Sequence, residues 1–126
     1  MQGSEKNTIL VIEDEADIRN FVSRVLELEG YNVLQAKDGD EGLDLGRRND
    51  VDLVFVDLRL PGRDGWSILK QIKGEQKLHN IKVIVFTASA GDPEREKAIN
   101  MGAVNYLIKP LSAASLKEAA AQAVKN

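Results

Sequence analysis

Apolar residues fall along this chain in five short runs, and the stretches between them carry a helical repeat. The first run, Thr8-Ile9-Leu10-Val11-Ile12, predicts a strand. After it Ile18, Phe21, Val22 and Val25 recur at i, i+3, i+4 and i+7, the spacing that aligns side chains on one face of a helix. Gly30 closes that helix as a C-terminal cap. Tyr31-Asn32-Val33-Leu34-Gln35-Ala36 alternates, which predicts an edge strand with one face toward water. A second helix over 39–48 contains Gly42 and Gly46. Each glycine costs about 1 kcal/mol relative to alanine, so this helix is expected to be the weakest. Val51-Asp52-Leu53-Val54-Phe55-Val56-Asp57 is rich in apolar and β-branched residues, as a strand buried on both faces is, and it ends on a carboxylate. A loop with Pro61, Gly62 and Gly65 follows, and past Asp64 a third helix places Ile68, Leu69 and Ile72 on one face. Ile81-Lys82-Val83-Ile84-Val85-Phe86 predicts the fourth strand. Asp92 and Pro93 open a fourth helix as N-cap and first helical residue. Its inward face is thin, with Ala98 and Met101 the best candidates. Val104-Asn105-Tyr106-Leu107-Ile108 predicts the fifth strand, and Ser112 or Ser115 opens a last helix that turns Leu116, Ala119, Ala120 and Ala123 inward. Regular alternation of strand and helix implies a parallel sheet covered on both faces. Right-handed crossovers then favour the doubly wound, flavodoxin-like α/β order 2-1-3-4-5, with a crevice between strands one and three.

Composition narrows the function more than the fold. The 126 residues suffice for one domain with a real core, and no internal repeat or linker divides them. Met1-Gln2-Gly3-Ser4 reads as a tag remnant, so residues 1–6 are expected to be disordered or tag-derived and residues 7–126 to form the domain. A net charge of -3 argues against a sequence-independent grip on nucleic acid. With no cysteine, disulfides, thiol catalysis and cysteine-held metals are excluded. No apolar run has membrane-spanning length and no signal-peptide pattern precedes the first strand, so a reducing, cytoplasmic setting is expected.

In such a fold the carboxyl ends of the strands share one rim, where ligands bind. The predicted strands end there at Glu13-Asp14, Asp57, Thr87 and Lys109-Pro110. Three carboxylates at close range repel, and one must take up a proton unless a cation joins them. Magnesium suits that role, since it prefers oxygen ligands in octahedral geometry and keeps several waters. Lys109 supplies a point charge for phosphate and Thr87 a hydroxyl donor. A carboxylate nucleophile, magnesium, a lysine and a hydroxyl together suit phosphoryl transfer. Each element has a plainer reading. Glu13, Asp14 and Asp17 can cap the first helix and favour its dipole, Thr87-Ala88-Ser89 can be a turn, and Lys109 can be solvated. Their joint occurrence on four strand ends favours the functional reading. Elsewhere Trp66 lies off the Ile68-Leu69-Ile72 face and is expected to be half exposed, and Met101 reads as core filling. His79, the only histidine, sits in a polar loop that does not suit a phosphodonor.

These residues resemble the receiver domain of two-component response regulators. The resemblance runs from about Asn7 to Lys125 and is carried by Glu13-Asp14, by Asp57 with Leu60-Pro61-Gly62-Arg63-Asp64-Gly65, and by Thr87-Ala88, Gly102-Ala103, Tyr106 and Lys109-Pro110. It implies that Asp57 is the phosphoacceptor. It implies a magnesium ion bound by Asp57 and Asp14 directly, by Glu13 through water and by the backbone carbonyl of Arg59. By the same resemblance Thr87, Ala88 and Lys109 bind the phosphoryl group, and Thr87 and Tyr106 form the switch. The Lys109–Pro110 bond is expected to be cis and to aim Lys109 into the site. A histidine kinase or phosphotransfer protein is the implied donor, and the acyl phosphate biases helix four and strand five toward an unknown output partner. The expected protein is a monomer or a weak phosphorylation-dependent dimer. It has no direct contact with nucleic acid or membrane, and no enzymatic activity beyond its own dephosphorylation. Arg59 and Ser89 are expected to flank the path of the water that hydrolyses the phosphate. The sequence departs from the family at Gly42, Gly46 and Arg59, and its alanine-rich last helix lacks the charges of the regulators that dimerise through helix four, strand five and helix five. Among rivals, a haloacid-dehalogenase-type phosphatase needs an acid where Arg59 stands, and a nucleotide module needs a glycine-rich phosphate loop where the acidic Glu13-Asp14 stands. A degenerate receiver acting only as a binding surface has no use for all five key side chains.

Overall fold

The computed structural model describes residues 6–88 and 91–125. Residues 1–5 of the expected tail, Ser89 and Asn126 lie outside the described residues. The strands are β1 (Thr8–Ile12), β2 (Asn32–Ala36), β3 (Leu53–Asp57), β4 (Lys82–Thr87) and β5 (Asn105–Ile108). They alternate with α1 (Ala16–Leu28), α2 (Gly39–Arg48), α3 (Gly65–Gly74), α4 (Asp92–Asn100) and α5 (Ala113–Lys125). All strand pairs are parallel and the sheet order is β2-β1-β3-β4-β5, the doubly wound order expected from the alternation. Successive strand residues point to opposite faces, and this splits the core in two. Leu10, Ile12, Val54, Val56, Val83 and Val85 pack with residues of α2, α3 and α4. Ile9, Val11, Leu53, Phe55, Ile84 and Phe86 pack with α1 and α5. Every residue of β3 is buried, as a strand covered on both faces requires.

Helix termini follow local chemistry with some corrections. Asp38 and Asp64 cap α2 and α3 by accepting from the N–H groups of Glu41 and Ser67, and the hydroxyl of Ser112, not Ser115, accepts from the N–H of Ser115 to open α5. The N-cap of α4 is Gly91, so Asp92 is already helical and Pro93 follows it in the first turn. In α4 Ala98 is fully buried and Met101 packs half-buried against the core, the thin face expected. Phe21 does not join the inner face of α1: it is 43% exposed, and Leu26 lies inside with Val22 and Val25. β2 is an edge strand, but its burial does not alternate cleanly.

Of the two interior glycines of α2, Gly42 needs a different account from the one propensity suggests. A Cβ on Gly42 would stand 2.7 Å from Ile12 Cγ1, so the glycine lets α2 lie directly on β1. Arg47 further fastens α2 to the end of α3, with Nη2 at 2.6 Å and Nε at 3.1 Å from the two Glu75 oxygens.

Candidate functional site

Strand alternation decides which side chains meet at the rim. Ile9 and Val11 face the α1–α5 layer, and Glu13, two residues on, continues that row. Leu53 and Phe55 lead in the same way to Asp57, and Leu107 leads to Lys109. The register sets Ile12 beside Val56, Asp57 beside Phe86 and Thr87 beside Ile108, which brings the strand ends level. Lys109 Nζ consequently lies 2.6 Å from Asp57 Oδ2 and 3.0 Å from Glu13 Oε1. One carboxylate oxygen each from Glu13, Asp14 and Asp57 fall within 4.8 Å of one another.

Backbone groups hold these acids in place. The Arg59 N–H donates to Asp57 Oδ1 at 2.8 Å. The Glu13 N–H extends the sheet ladder to the carbonyl of Ala36 at 3.0 Å, and the Glu15 N–H donates to Glu13 Oε2 at 3.3 Å. The N-cap of α1 is Glu15, with no side-chain capping bond, so Glu13 and Asp14 are not consumed as caps. Behind β3 the chain turns through Leu58, whose N–H donates to Phe86 and whose carbonyl accepts from the Gly65 N–H, each at 3.0 Å. A Cβ on Gly65 would come within 2.5 Å of the Asp57 carbonyl oxygen, so only glycine permits this approach.

Burial gives the cluster its electrostatics. Glu13 is fully buried and Asp57 is 2% exposed, whereas Asp14 opens to solvent. Burial pushes the Glu13 carboxyl up to about 7; the Lys109 ammonium opposes the shift, and Asp14 and Asp57 add to it. For Lys109, burial alone would lower the pKa, but Asp57 and Glu13 outweigh it and hold the ammonium charged. The contact from Lys109 to Glu13 Oε1 falls outside hydrogen-bond geometry, which leaves that buried oxygen with no hydrogen bond.

The donor set fits magnesium. An octahedral ion about 2.1 Å from its ligands sets neighbouring oxygens about 3 Å apart and opposite ones about 4 Å apart, within the reach of this trio. All three donors are hard carboxylate oxygens, and the buried Glu13 Oε1 accepts no hydrogen bond.

The other expected residues fall as follows. Thr87 is 1% exposed at the end of β4, and its carbonyl accepts from the Lys109 N–H at 2.8 Å. It continues the row of Val83 and Val85, on the sheet face that also carries Tyr106. Tyr106 is 4% exposed, its ring turned into the core, and burial with the nearby charge of Glu94 raises its phenol pKa. Glu13, Asp57 and Lys109 thus continue rows on one face of the sheet, and Thr87 and Tyr106 lie on the other. Ala88 is exposed beside Thr87, the Arg59 side chain is exposed, and the Lys109–Pro110 peptide is cis. Trp66 is half-buried under the Lys97 ammonium, 4.4 Å from the ring centre, and His79 is exposed. Gly65 stands in the sequence reading as a loop glycine and as part of the family motif, whereas Arg19 was not singled out from sequence. Arg19 reads as a solvated helix residue, yet its Nη1 donates to the carbonyls of Glu13 at 2.9 Å and Asp14 at 3.4 Å.

Comparison with known proteins gives the family and the fold. The family described as response regulator receiver domain matches residues 9–121. The chain is 34% identical over 113 residues to a probable transcriptional regulator, ycf27, of Porphyridium aerugineum, covering 90% of this chain and 46% of that protein. It is 36% identical over 104 residues to the phosphate regulon transcriptional regulatory protein PhoB of Escherichia coli, covering 82% and 45%. The chain thus spans about half the length of these relatives. Among solved structures, the receiver domain of NtrX from Brucella abortus superposes with a TM-score of 0.86 at 32% identity over 94% of this chain and 98% of that one. A putative response regulator from Chloroflexus aurantiacus gives a TM-score of 0.91 at 24% identity over 97% and 100%, a likeness of fold.

Proposed function

Because the chain belongs to the response regulator receiver domains, a family of phosphoacceptor signalling modules, we propose that Asp57 accepts a phosphoryl group in a magnesium-dependent reaction. The observation that carries this reading is the buried Asp57 carboxylate, gripped by the Arg59 N–H and the Lys109 ammonium beside two further acids. One Asp57 oxygen attacks the phosphorus of a phosphohistidine on a histidine kinase or phosphotransfer protein. The P–N bond breaks, the imidazole leaves with the electron pair, and an acyl phosphate forms. Lys109 then transfers its grip from the carboxylate to a phosphoryl oxygen. Asp57, Asp14, Glu13 and the Arg59 carbonyl would hold magnesium, which offsets the negative charge gathered at the site.

The donor approaches beside Lys109. There Ile18, Phe21, Pro110 and Leu111 line an apolar groove, and the exposed ring of Phe21 is available to a partner helix. The acyl phosphate draws in the Thr87 hydroxyl and Ala88, and Tyr106 and α4 follow because they share the Thr87 face of the sheet. Ile99, Val104 and Ile108 are exposed near that face and offer contact to an output protein or domain. The domain works in the cytoplasm, as a monomer or a weak phosphorylation-dependent dimer without direct contact to nucleic acid. Its only reaction after transfer is loss of its own phosphate.

Labelling with acetyl phosphate or a beryllofluoride mimic tests the assignment. The wild type should react in the presence of magnesium and Asp57→Asn should not. Equal labelling of the variant, or full labelling in chelator, rejects it.

A further inference from the structure

We propose that Arg19 is a positioning residue of the acidic site, holding the backbone of Glu13 and Asp14 so that their carboxylates face a common cation. The proposal rests on the magnesium reading above. β1 ends at Ile12, and only the N–H of Glu13 continues the ladder, to Ala36. From there to the N-cap of α1 at Glu15 the chain lies in neither strand nor helix. Arg19, one turn into α1, reaches back across this gap. Its Nη1 donates to the Glu13 carbonyl at 2.9 Å and the Asp14 carbonyl at 3.4 Å, and its Nε donates to Gln35 Oε1 on β2 at 3.3 Å.

Three elements are thereby joined through one planar group: the helix, the acidic loop and the neighbouring strand. Glu13 has both backbone groups engaged, its N–H by Ala36 and its carbonyl by Arg19, so its buried side chain leaves the backbone in one direction. The guanidinium contacts carbonyl oxygens, which leaves the carboxylates to Lys109 and the cation. Donors pointing in two directions within one rigid plane are a property of arginine that lysine lacks. Groups that orient metal ligands typically contribute about ten- to a hundredfold in metal affinity.

The test is calorimetric titration of the whole chain with magnesium, for wild type, Arg19→Gln and Arg19→Lys. Arg19→Gln should raise the dissociation constant about tenfold, at the lower end of such effects. Arg19→Lys keeps one donor and should raise it about threefold, by the same reasoning. Acetyl phosphate labelling of Arg19→Gln should need correspondingly more magnesium for half-maximal rate while its limiting rate stays within about twofold of wild type, since the positioning acts through the ion. A merely structural arginine would shift the urea midpoint and leave the magnesium dependence alone. An Arg19→Gln protein that is folded and binds magnesium like wild type overturns the proposal. If that variant does not fold, Arg19→Lys decides: weakened binding supports the proposal and unchanged binding overturns it. A wild-type chain that binds no magnesium, or labelling that survives Asp57→Asn, rejects the underlying reading instead. That outcome is separate from wild-type binding with indifferent Arg19 variants.

Discussion

Alanine at Gly42 should destabilise this protein although helix propensity favours it. In an exposed helix, glycine to alanine gains about 1 kcal/mol. At Gly42 the added methyl would stand 2.7 Å from Ile12 Cγ1 and closer still to Cδ1. Ile12 is fully buried, and its backbone is paired to Ala36 on one side and Val56 on the other, so neither side chain nor strand has room to retreat. Overpacking of a tight core costs about 1–3 kcal/mol, and this constrained contact belongs at the upper end. The net expectation is a loss of about 2 kcal/mol once the propensity gain of about 1 kcal/mol is subtracted. Gly46, one turn on, is the internal control: its added Cβ would meet only Leu78 Cδ2 at 3.5 Å, an ordinary contact. Gly46→Ala should therefore stabilise by about 0.5–1 kcal/mol. Urea denaturation of both variants gives the two free energies from the midpoint and slope. Because Ile12 immediately precedes Glu13, Gly42→Ala should also weaken magnesium binding, and Gly46→Ala should not. A Gly42→Ala protein as stable as wild type would refute the claim that close packing chose that glycine.

Three further outcomes are expected. Amide shifts on adding beryllofluoride should concentrate between Thr87 and Tyr106, with the Tyr106 ring resonances changing as its exchange is restricted; shifts confined to α1 and α2 would contradict this route. Arg59→Ala should shorten the lifetime of phosphorylated protein after donor removal, because the exposed guanidinium can cover the phosphoryl group from water. Unchanged decay would leave Arg59 without a kinetic role, and slower decay would mean that it assists the attack. In chelator, the raised Glu13 pKa makes its contribution to stability fully present below about 4.5 and progressively lost as pH rises through about 7. Denaturant midpoints across that window should fall for wild type and stay flatter for Glu13→Gln, and parallel profiles would show that Glu13 is not the group responsible.

The alternating pattern of apolar runs and helical repeats determined the sheet, its order and the rim on which Glu13, Asp14, Asp57, Thr87 and Lys109 end, because strand period, helix period and crossover handedness are local or chiral rules. The same pattern pointed to Ala98 and Met101 as the thin inward face of the fourth helix, and Ala98 is fully buried while Met101 packs half-buried, since a helix with few apolar positions has little to bury. It misjudged Phe21, because the helical repeat that selects an apolar face does not say how far the covering layer extends. It also read Gly42 as a weakness, since the reason for that glycine is Ile12 of another element, thirty residues away in the chain. Only the tertiary structure could decide that Lys109 pairs with two acids at once, that Glu13 is driven toward neutrality by burial, and that Arg19 ties the acidic loop to its neighbours. Distances between strand ends and depth from water are properties of the packed sheet, and no run of residues carries them by itself.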